Sequence, residues 1–515
     1  MGVPSTFFIF GIMFVRKKLN KSGVVSIQII DKSRSVYKVI KTIGSSSDAN
    51  EIENLFQQGT EFIRKYGGQT ELDLDNEKIR TSQILDNIEQ ITVIGTELLL
   101  VSVFNEIGFW QIQDPLFRDL VVSRLCYPAS KLKTTDYLLK YQSKEIDIQH
   151  IYRYLDKLHN TQKELVQQIS FQHTLKILKG EMNIVFYDVT TLYFEIDNED
   201  DLRKTGFSKD GKHQNPQIVL GLLVSVDGYP LAYEIFEGNK FEGHTMLPIV
   251  DTFKQKYKLG KIVIIADAGL LSNENIEQLQ EKGYDYILGA RIKNENQRIK
   301  KEILSFRLKN GETQIILKNK STRLIISYSE SRAKKDKANR EKGLLRLVKQ
   351  IKNGRLTKAS INNRGYNKYL KLEGEINVSI DKDKFNQDSQ WDGLKGYLTN
   401  TTLTKEEIID NYKHLWKIEK AFRITKHDLQ IRPIYHRLQR RIEAHICIAF
   451  AAYKIYKELE RVLILKKSEL SPEKAIEIAK TIYAIKARTT NSNEAVTKII
   501  LLTEEQKNLA KLFDF

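Results

Sequence analysis

The stretch from Asn183 to Leu288 constrains the fold more than any other part of this 515-residue chain. Asn183 to Phe194 is rich in β-branched and aromatic residues and reads as a strand. Ile218 to Ser225 reads as a second. The turn Val226-Asp227-Gly228-Tyr229-Pro230 then leads into Leu231 to Phe236, which makes a hairpin. A helical period follows from His244 to Lys258 and ends at Gly260. Next come a buried strand at Ile262 to Ile265, a helix from Asn273 to Lys282 stopped by Gly283, and a strand at Tyr286 to Leu288. Alternation of this kind predicts an α/β sheet whose ligands sit at the carboxyl ends of its strands.

Two aspartates stand out against that pattern. Asp188 lies mid-strand in Ile184-Val185-Phe186-Tyr187-Asp188-Val189-Thr190-Thr191, where a charge is costly unless paired or bound to a cation. Asp267 ends the apolar strand and precedes Ala268-Gly269-Leu270. For either alone, a strand-end cap or turn former is the competing reading. The order strand, strand, strand, helix, strand, helix, strand is ribonuclease H-like, and there the first and fourth strands, which carry the two Asp, are neighbours. The helix that should complete this order does not come next. Residues 295–395 bring strand-like runs at Gln314 to Leu317, Arg323 to Tyr328 and Glu375 to Ile380, with a basic helical stretch from Arg332 to Lys358. The α/β pattern resumes at Tyr397-Leu398-Thr399-Asn400, and Thr404 with Glu407 forms a capping box that opens a long helix.

Along that helix Tyr412, Glu419 and Lys426 recur every seven residues and would line one face. Ile418 and Phe422, beside it, would anchor the helix to the sheet; a solvated Glu is the alternative for Glu419. Three carboxylates, Asp188, Asp267 and Glu419, suit a pair of Mg²⁺ ions, with Mn²⁺ able to substitute. Mg²⁺ is hard and takes oxygen ligands. Two such ions about 3.5–4 Å apart activate a hydroxyl, stabilise a leaving oxygen and neutralise a phosphodiester. Water as nucleophile gives hydrolysis, and a released 3′-hydroxyl gives strand transfer. The excess of 82 Lys and Arg over 65 Asp and Glu leaves +17, a balance suited to a polyanion. Past Lys426, the series Arg432, His436, Arg437, Arg440 and Arg441 would track a DNA backbone, with a plain solvated face as the alternative.

Cys126 and Cys447, far apart, exclude a disulfide framework and fit a reducing cytosol. The apolar run Phe7 to Val15 is too short to span a bilayer and lacks signal-peptide features, so no membrane association is expected. Met13 opens a strand, Met13-Phe14-Val15-Arg16, which leaves residues 1–12 uninformative as a product of an early start codon.

Taken together these residues resemble the bacterial insertion-sequence DDE transposases, in the subgroup with a Tyr-x2-Arg-x3-Glu-x6-Lys signature. Tyr412, Glu419 and Lys426 match the signature, and Leu415 stands where it has Arg. Asp188 in Tyr-Asp-Val-Thr-Thr-Leu-Tyr-Phe-Glu, Asp267 in Ala-Asp-Ala-Gly-Leu, and Gly238-Asn239 with Glu242-Gly243-His244-Thr245 resemble the group's other motifs. The likeness spans roughly 95–460. It implies metal-dependent cleavage at element ends, strand transfer into target DNA, double-stranded DNA bearing terminal inverted repeats as partner, and a homodimer that pairs two ends. It also implies phosphate or strand contacts from Tyr412 and Lys426, with Arg423 or Lys417 supplying the charge absent at Leu415. A mostly β insertion would present an aromatic residue to a flipped base. Trp391 is the candidate for that stacking, worth about 1–3 kcal/mol per base, and core filling is the alternative.

The expected architecture is α/β: a ribonuclease H-like core interrupted by a mostly β insertion, with helical N- and C-terminal regions. The expected layout is a β-hairpin region at 13–48, a helical DNA-binding or dimerisation region at 49–180, core at 181–294, insertion at 295–395, core with the Glu419 helix at 396–460, and C-terminal helices at 461–515. The expected protein is a bacterial, cytoplasmic transposase. The competing reading, suggested by Leu415, is a catalytically inactive DNA-binding descendant.

Overall fold

The computed structural model describes residues 13–32, 36–66, 81–82, 85–270, 272–353, 361–362, 365–373, 377–488 and 494–515. It divides into two units, Met1–Ile88 with Ala487–Ala495 and Glu89–Lys486 with Val496–Phe515. Residues 1–12, residues 354–358 of the expected basic stretch and residues 375–376 of the expected strand lie outside the described residues.

In the first unit β1 (Met13–Leu19), β2 (Val25–Asp31) and β3 (Lys38–Ser46) form an antiparallel sheet in the order β1-β2-β3. The β-hairpin region expected at 13–48 gains a third strand because Met13 to Leu19 pairs along all of β2. Helix Ala49–Tyr66 covers this sheet, and a Cβ at its Gly59 would lie 3.1 Å from Val15. This helix belongs to the first unit.

The second unit takes up β4 (Ile88–Val93) from Glu89 onward and continues with the helices Gly95–Ile107, Pro115–Cys126, Lys131–Gln142, Ile148–Lys157 and Lys163–Ile177. Lys131–Gln142 packs on Pro115–Cys126 and Ile148–Lys157, and the other four of these helices pack around helix Gln439–Leu465. That helix is apolar on nearly every side (Ile446, Ile448, Phe450, Ile455 and Leu459 are all buried), as a helix enclosed by others must be.

One mixed sheet of eight strands carries the rest. Its strands are β5 (Ile184–Tyr193), β6 (Gln217–Ser225), β7 (Pro230–Glu237), β8 (Val263–Ala266), β9 (Asp285–Ala290), β10 (Thr313–Leu317) and β11 (Arg323–Tyr328). Past the small hairpin β12 (Leu370–Glu373) and β13 (Asn377–Ile380), β14 (Leu394–Thr399) completes it. The order is β10-β11-β14-β9-β8-β5-β6-β7, with β5, β8 and β9 parallel and the other pairs antiparallel. Side chains alternate between two cores: Phe186, Leu192, Ile265, Ile287 and Tyr397 face one, and Val185, Tyr187, Ile264, Tyr286 and Leu398 the other.

Three expectations are corrected here. In the insertion, helices Gln297–Ser305, Glu330–Lys352 and Lys382–Ser389 outweigh the strands among the described residues, so it is not mostly β. The 23-residue helix Glu330–Lys352 starts on a Ser329 cap and carries Lys and Arg at helix-favouring, solvated positions. Strands β10 and β11 moreover extend the core sheet through β14. The C-terminal region is not wholly helical either: β15 (Tyr483–Arg488) and β16 (Ala495–Ile500) interrupt it, both with β-branched residues. Finally, the long helix from Thr404 is broken. Lys405–Lys413 and Trp416–Arg423 are separate helices followed by a π-helical turn, Ile424–Asp428. At the break His414, Leu415, Lys417 and Ile418 donate to carbonyls three residues back instead of four, which tightens the turn. Among the described residues no helix is long and apolar enough to cross a membrane.

Candidate active site

Asp188 and Asp267 come together through strand register. On the parallel pair β5 and β8, Tyr187 lies opposite Ala266, so the two aspartates are the next residues of adjacent strands. Alternation puts both on the face that carries Phe186 and Ile265. Helices Lys405–Lys413 and Trp416–Arg423 pack on that same face through Ile408, Tyr412, Ile418 and Phe422.

Asp188 keeps 21% of its side chain exposed and accepts from the Val189 N–H at 2.8 Å. Burial pushes its carboxyl up to about 6; Lys209 and the Val189 N–H oppose that, while the charges of Asp267 and Glu242 add to it. The Lys209 ammonium lies 3.8 Å from Asp188 Oδ1 and 3.2 Å from Glu242 Oε1, and donates to the Val189 carbonyl at 2.7 Å. Asp267 is exposed and accepts from the Ala268 N–H at 2.6 Å. The Tyr412 hydroxyl approaches Asp267 Oδ1 at 3.4 Å, and burial, with Asp267 next, holds that phenol well above its ordinary range. Gly289 on β9 permits the approach, since a Cβ there would meet the Tyr412 hydroxyl at 2.5 Å and the Ala268 nitrogen at 2.9 Å.

Glu419 is exposed on helix Trp416–Arg423. Its charge and that of Asp267 both act on Tyr412 and on Lys395, whose ammonium sits 4.4 Å over the Tyr412 ring. Burial is the main reason the Lys395 pKa is lowered, and Arg332 adds to it.

The remaining sequence candidates fall into distinct settings. The break at Leu415 takes Lys426 off a simple helical line with Tyr412. Lys426 Nζ is 3.1 Å from Asp210 Oδ2, and Arg432 pairs with the same carboxylate. Leu415 is buried in the core, so the signature's Arg position points inward. Lys417 donates to the Val226 carbonyl at 2.6 Å on the β6–β7 turn. Arg423 and Arg437 are exposed, and Arg440 and Arg441 pair with Asp156. Trp391 is half-buried against the second core, consistent with core filling.

Lys209, Glu242 and Lys395 were not singled out as site residues from sequence. Only Glu242 carried a signal, in the Glu242-Gly243-His244-Thr245 run; Lys209 and Lys395 sit in segments with no distinguishing pattern.

The family model of the transposase DDE domain matches residues 179–455, more than half of the chain and all of the carboxylate face. The chain belongs to the DDE transposase family. No curated protein matches it in sequence. Among solved structures it is similar to a piggyBac transposase synaptic complex with hairpin DNA, at 9% identity and a TM-score of 0.38, over 71% of this chain and 69% of that one. As a transposase it is an enzyme of the polynucleotidyl transferase and nuclease kind, acts on DNA, and belongs to a family that uses divalent metal ions. Among the described residues of this transposase, no three His, Cys, Asp or Glu side chains are drawn close enough together to hold an ion. The donor set nonetheless fits a hard divalent cation: Asp188, Asp267 and Glu242 offer carboxylate oxygen only, and an ammonium already bridges two of them.

Proposed function

We propose that this transposase cuts DNA at the ends of an insertion element and joins the released 3′ ends to target DNA, with Asp188, Asp267 and Glu419 as its catalytic carboxylates. The observation that carries the reading is the register of β5 and β8, with the Glu419 helix packed on the same sheet face. The core order β7-β6-β5-β8-β9 supports the ribonuclease H-like assignment. Tyr412, Glu419 and Lys426 support the Tyr-x2-Arg-x3-Glu-x6-Lys subgroup, with Leu415 as its departure.

Asp188, Asp267 and Glu419 would hold the metal, with Glu242 beside them. Two bound Mg²⁺ ions, or Mn²⁺, would neutralise the phosphodiester and lower the pKa of the attacking hydroxyl. The chain's own residues do the rest. Lys209 compensates Asp188 and Glu242 while no ion is bound. The Tyr412 hydroxyl, fixed by its buried ring, orients Asp267. Lys395 adds positive charge beside Asp267 and Glu419, where a scissile phosphate would be attracted. Arg423 and Arg437 are exposed for backbone contacts, and Lys426 and Arg432 would join them on leaving Asp210. Trp391 would reach a flipped base only by leaving the core. The working form is a homodimer on terminal inverted repeats, in the bacterial cytoplasm.

The test is a cleavage assay on DNA bearing the ends of the chain's own genomic element, with Mg²⁺ or EDTA, for wild type and Asp188→Ala. Metal-dependent nicking at the boundary, absent from the variant, is expected. Specific binding without cleavage would instead favour a catalytically inactive descendant, a reading that Leu415 invites.

A further inference from the structure

Away from the carboxylates, the second unit gathers four basic side chains with no acid among them. Arg124 (4% exposed) comes from helix Pro115–Cys126, and Lys131 (5%) opens helix Lys131–Gln142. His445 (6%) lies in helix Gln439–Leu465, and half-buried His436 in the loop before it. The two imidazole rings are 5.4 Å apart. Arg124 spends one N–H on the Leu429 carbonyl at 3.5 Å, and His445 Nε2 donates to the Ile431 carbonyl at 3.0 Å. His445 Nδ1 is sealed from water without a partner. The Lys131 ammonium has neither hydrogen bond nor ion pair among the described residues.

The charges acting on these groups are one another's. Arg124 acts on Lys131; both act on His436 and His445; Arg441, itself tied to Asp156, also acts on His436. Burial holds all four below their ordinary pKa values, and for Lys131, His436 and His445 the neighbouring like charges add to it. An unpaired buried ammonium is expensive, and several like charges together are more so. Such a cluster is accounted for if its counter-charge arrives from outside. A guanidinium with free N–H groups, an ammonium and two imidazoles match a phosphate, which accepts from several donors at once.

We propose that Arg124, Lys131, His436 and His445 form a phosphate-binding pocket that takes a backbone phosphate of bound DNA. The pocket's loop runs directly into the exposed Arg437, and its Ile434 N–H reaches the carbonyl of Tyr193 at 3.5 Å. Tyr193 ends β5, the strand that carries Asp188, so a phosphate anchored here would fix the duplex relative to the cutting site. The inference relies on DNA as the partner and is independent of the role given to the carboxylates.

Full-length protein, without metal, is melted in inorganic phosphate and in chloride at equal ionic strength. Binding of a random-sequence duplex is then measured across a salt series. Wild type should melt higher in phosphate. Lys131→Met should lose that rise while melting no lower than wild type in chloride, because it removes an unpaired charge. Its plot of log affinity against log salt should be shallower by about one unit. Loss of the phosphate rise with an unchanged slope would keep the pocket but assign it to free phosphate. His445→Gln, whose side-chain amide can still donate to Ile431, repeats the test if Lys131→Met does not fold. No phosphate effect on wild type, with unchanged slopes in the variants, would overturn the proposal.

Discussion

Replacing Asp188 with Asn should make the metal-free protein more stable at pH 8 while abolishing cleavage. Burial raises the Asp188 carboxyl from 3.8 to about 6. Two units at 1.36 kcal/mol each amount to about 3 kcal/mol of differential stability. The folded pKa lies above the unfolded one, so as pH rises the unfolded chain gives up its proton first. The penalty is therefore absent below pH 3.8, grows up to about 6, and is complete above that. Asn carries no such charge at any pH, and its oxygen can still accept from the Val189 N–H. For a second unit of about 420 residues, an unfolding entropy of ~2.1 cal/mol/K per residue gives ~0.9 kcal/mol/K. The variant should then melt about 3 °C higher at pH 8, and about half as much higher at pH 5. Mg²⁺ at a hundred times its dissociation constant adds about 2.7 kcal/mol to a protein that binds it. Wild type should thus nearly close the gap in Mg²⁺, and the variant should not respond. Paired thermal melts at the two pH values, with and without Mg²⁺, make the measurement. A variant less stable than wild type by the same margin at both pH values would refute the reasoning and make Asp188 a structural carboxylate.

Two other perturbations test the frame around the site. Gly289→Ala puts a methyl 2.5 Å from the Tyr412 hydroxyl, so overpacking should cost about 1–3 kcal/mol and slow cleavage. Adding Tyr412→Phe should return part of the melting temperature, which a clash located elsewhere would not allow. Leu415→Arg restores the signature residue but drives a charge into the core, so chemical denaturation should show a loss of ~3 kcal/mol or more. An unchanged midpoint would mean that this position reaches solvent.

The central strands were legible because β-branched runs such as Ile184 to Tyr187 and Ile262 to Ile265 are bounded by turns, and the two Asp interrupt them visibly. The break at His414-Leu415 was not. No Gly or Pro marks it, and the apolar period continues through both halves, so Tyr412, Glu419 and Lys426 read as one line. Lys209 and Lys395 become notable only when the sheet closes around Asp188 and Asp267. The cluster of Arg124, Lys131, His436 and His445 joins positions about three hundred residues apart, beyond the range of any local pattern. Pairing of β14 with β9 across the insertion is equally non-local.

That pairing has a mechanical side. Residues 295–395 give the sheet its outer strands β10 and β11 and lead into β14, which is hydrogen-bonded to β9 on one edge and to β11 on the other. The insertion is thus spliced into the beam that carries the aspartates. A force applied to β10 or β11 passes through β14, bearing Lys395, to β9, bearing Gly289, and so to β8, which Asp267 directly follows. Anything that grips the β10 edge of this sheet pulls on the site four strands away.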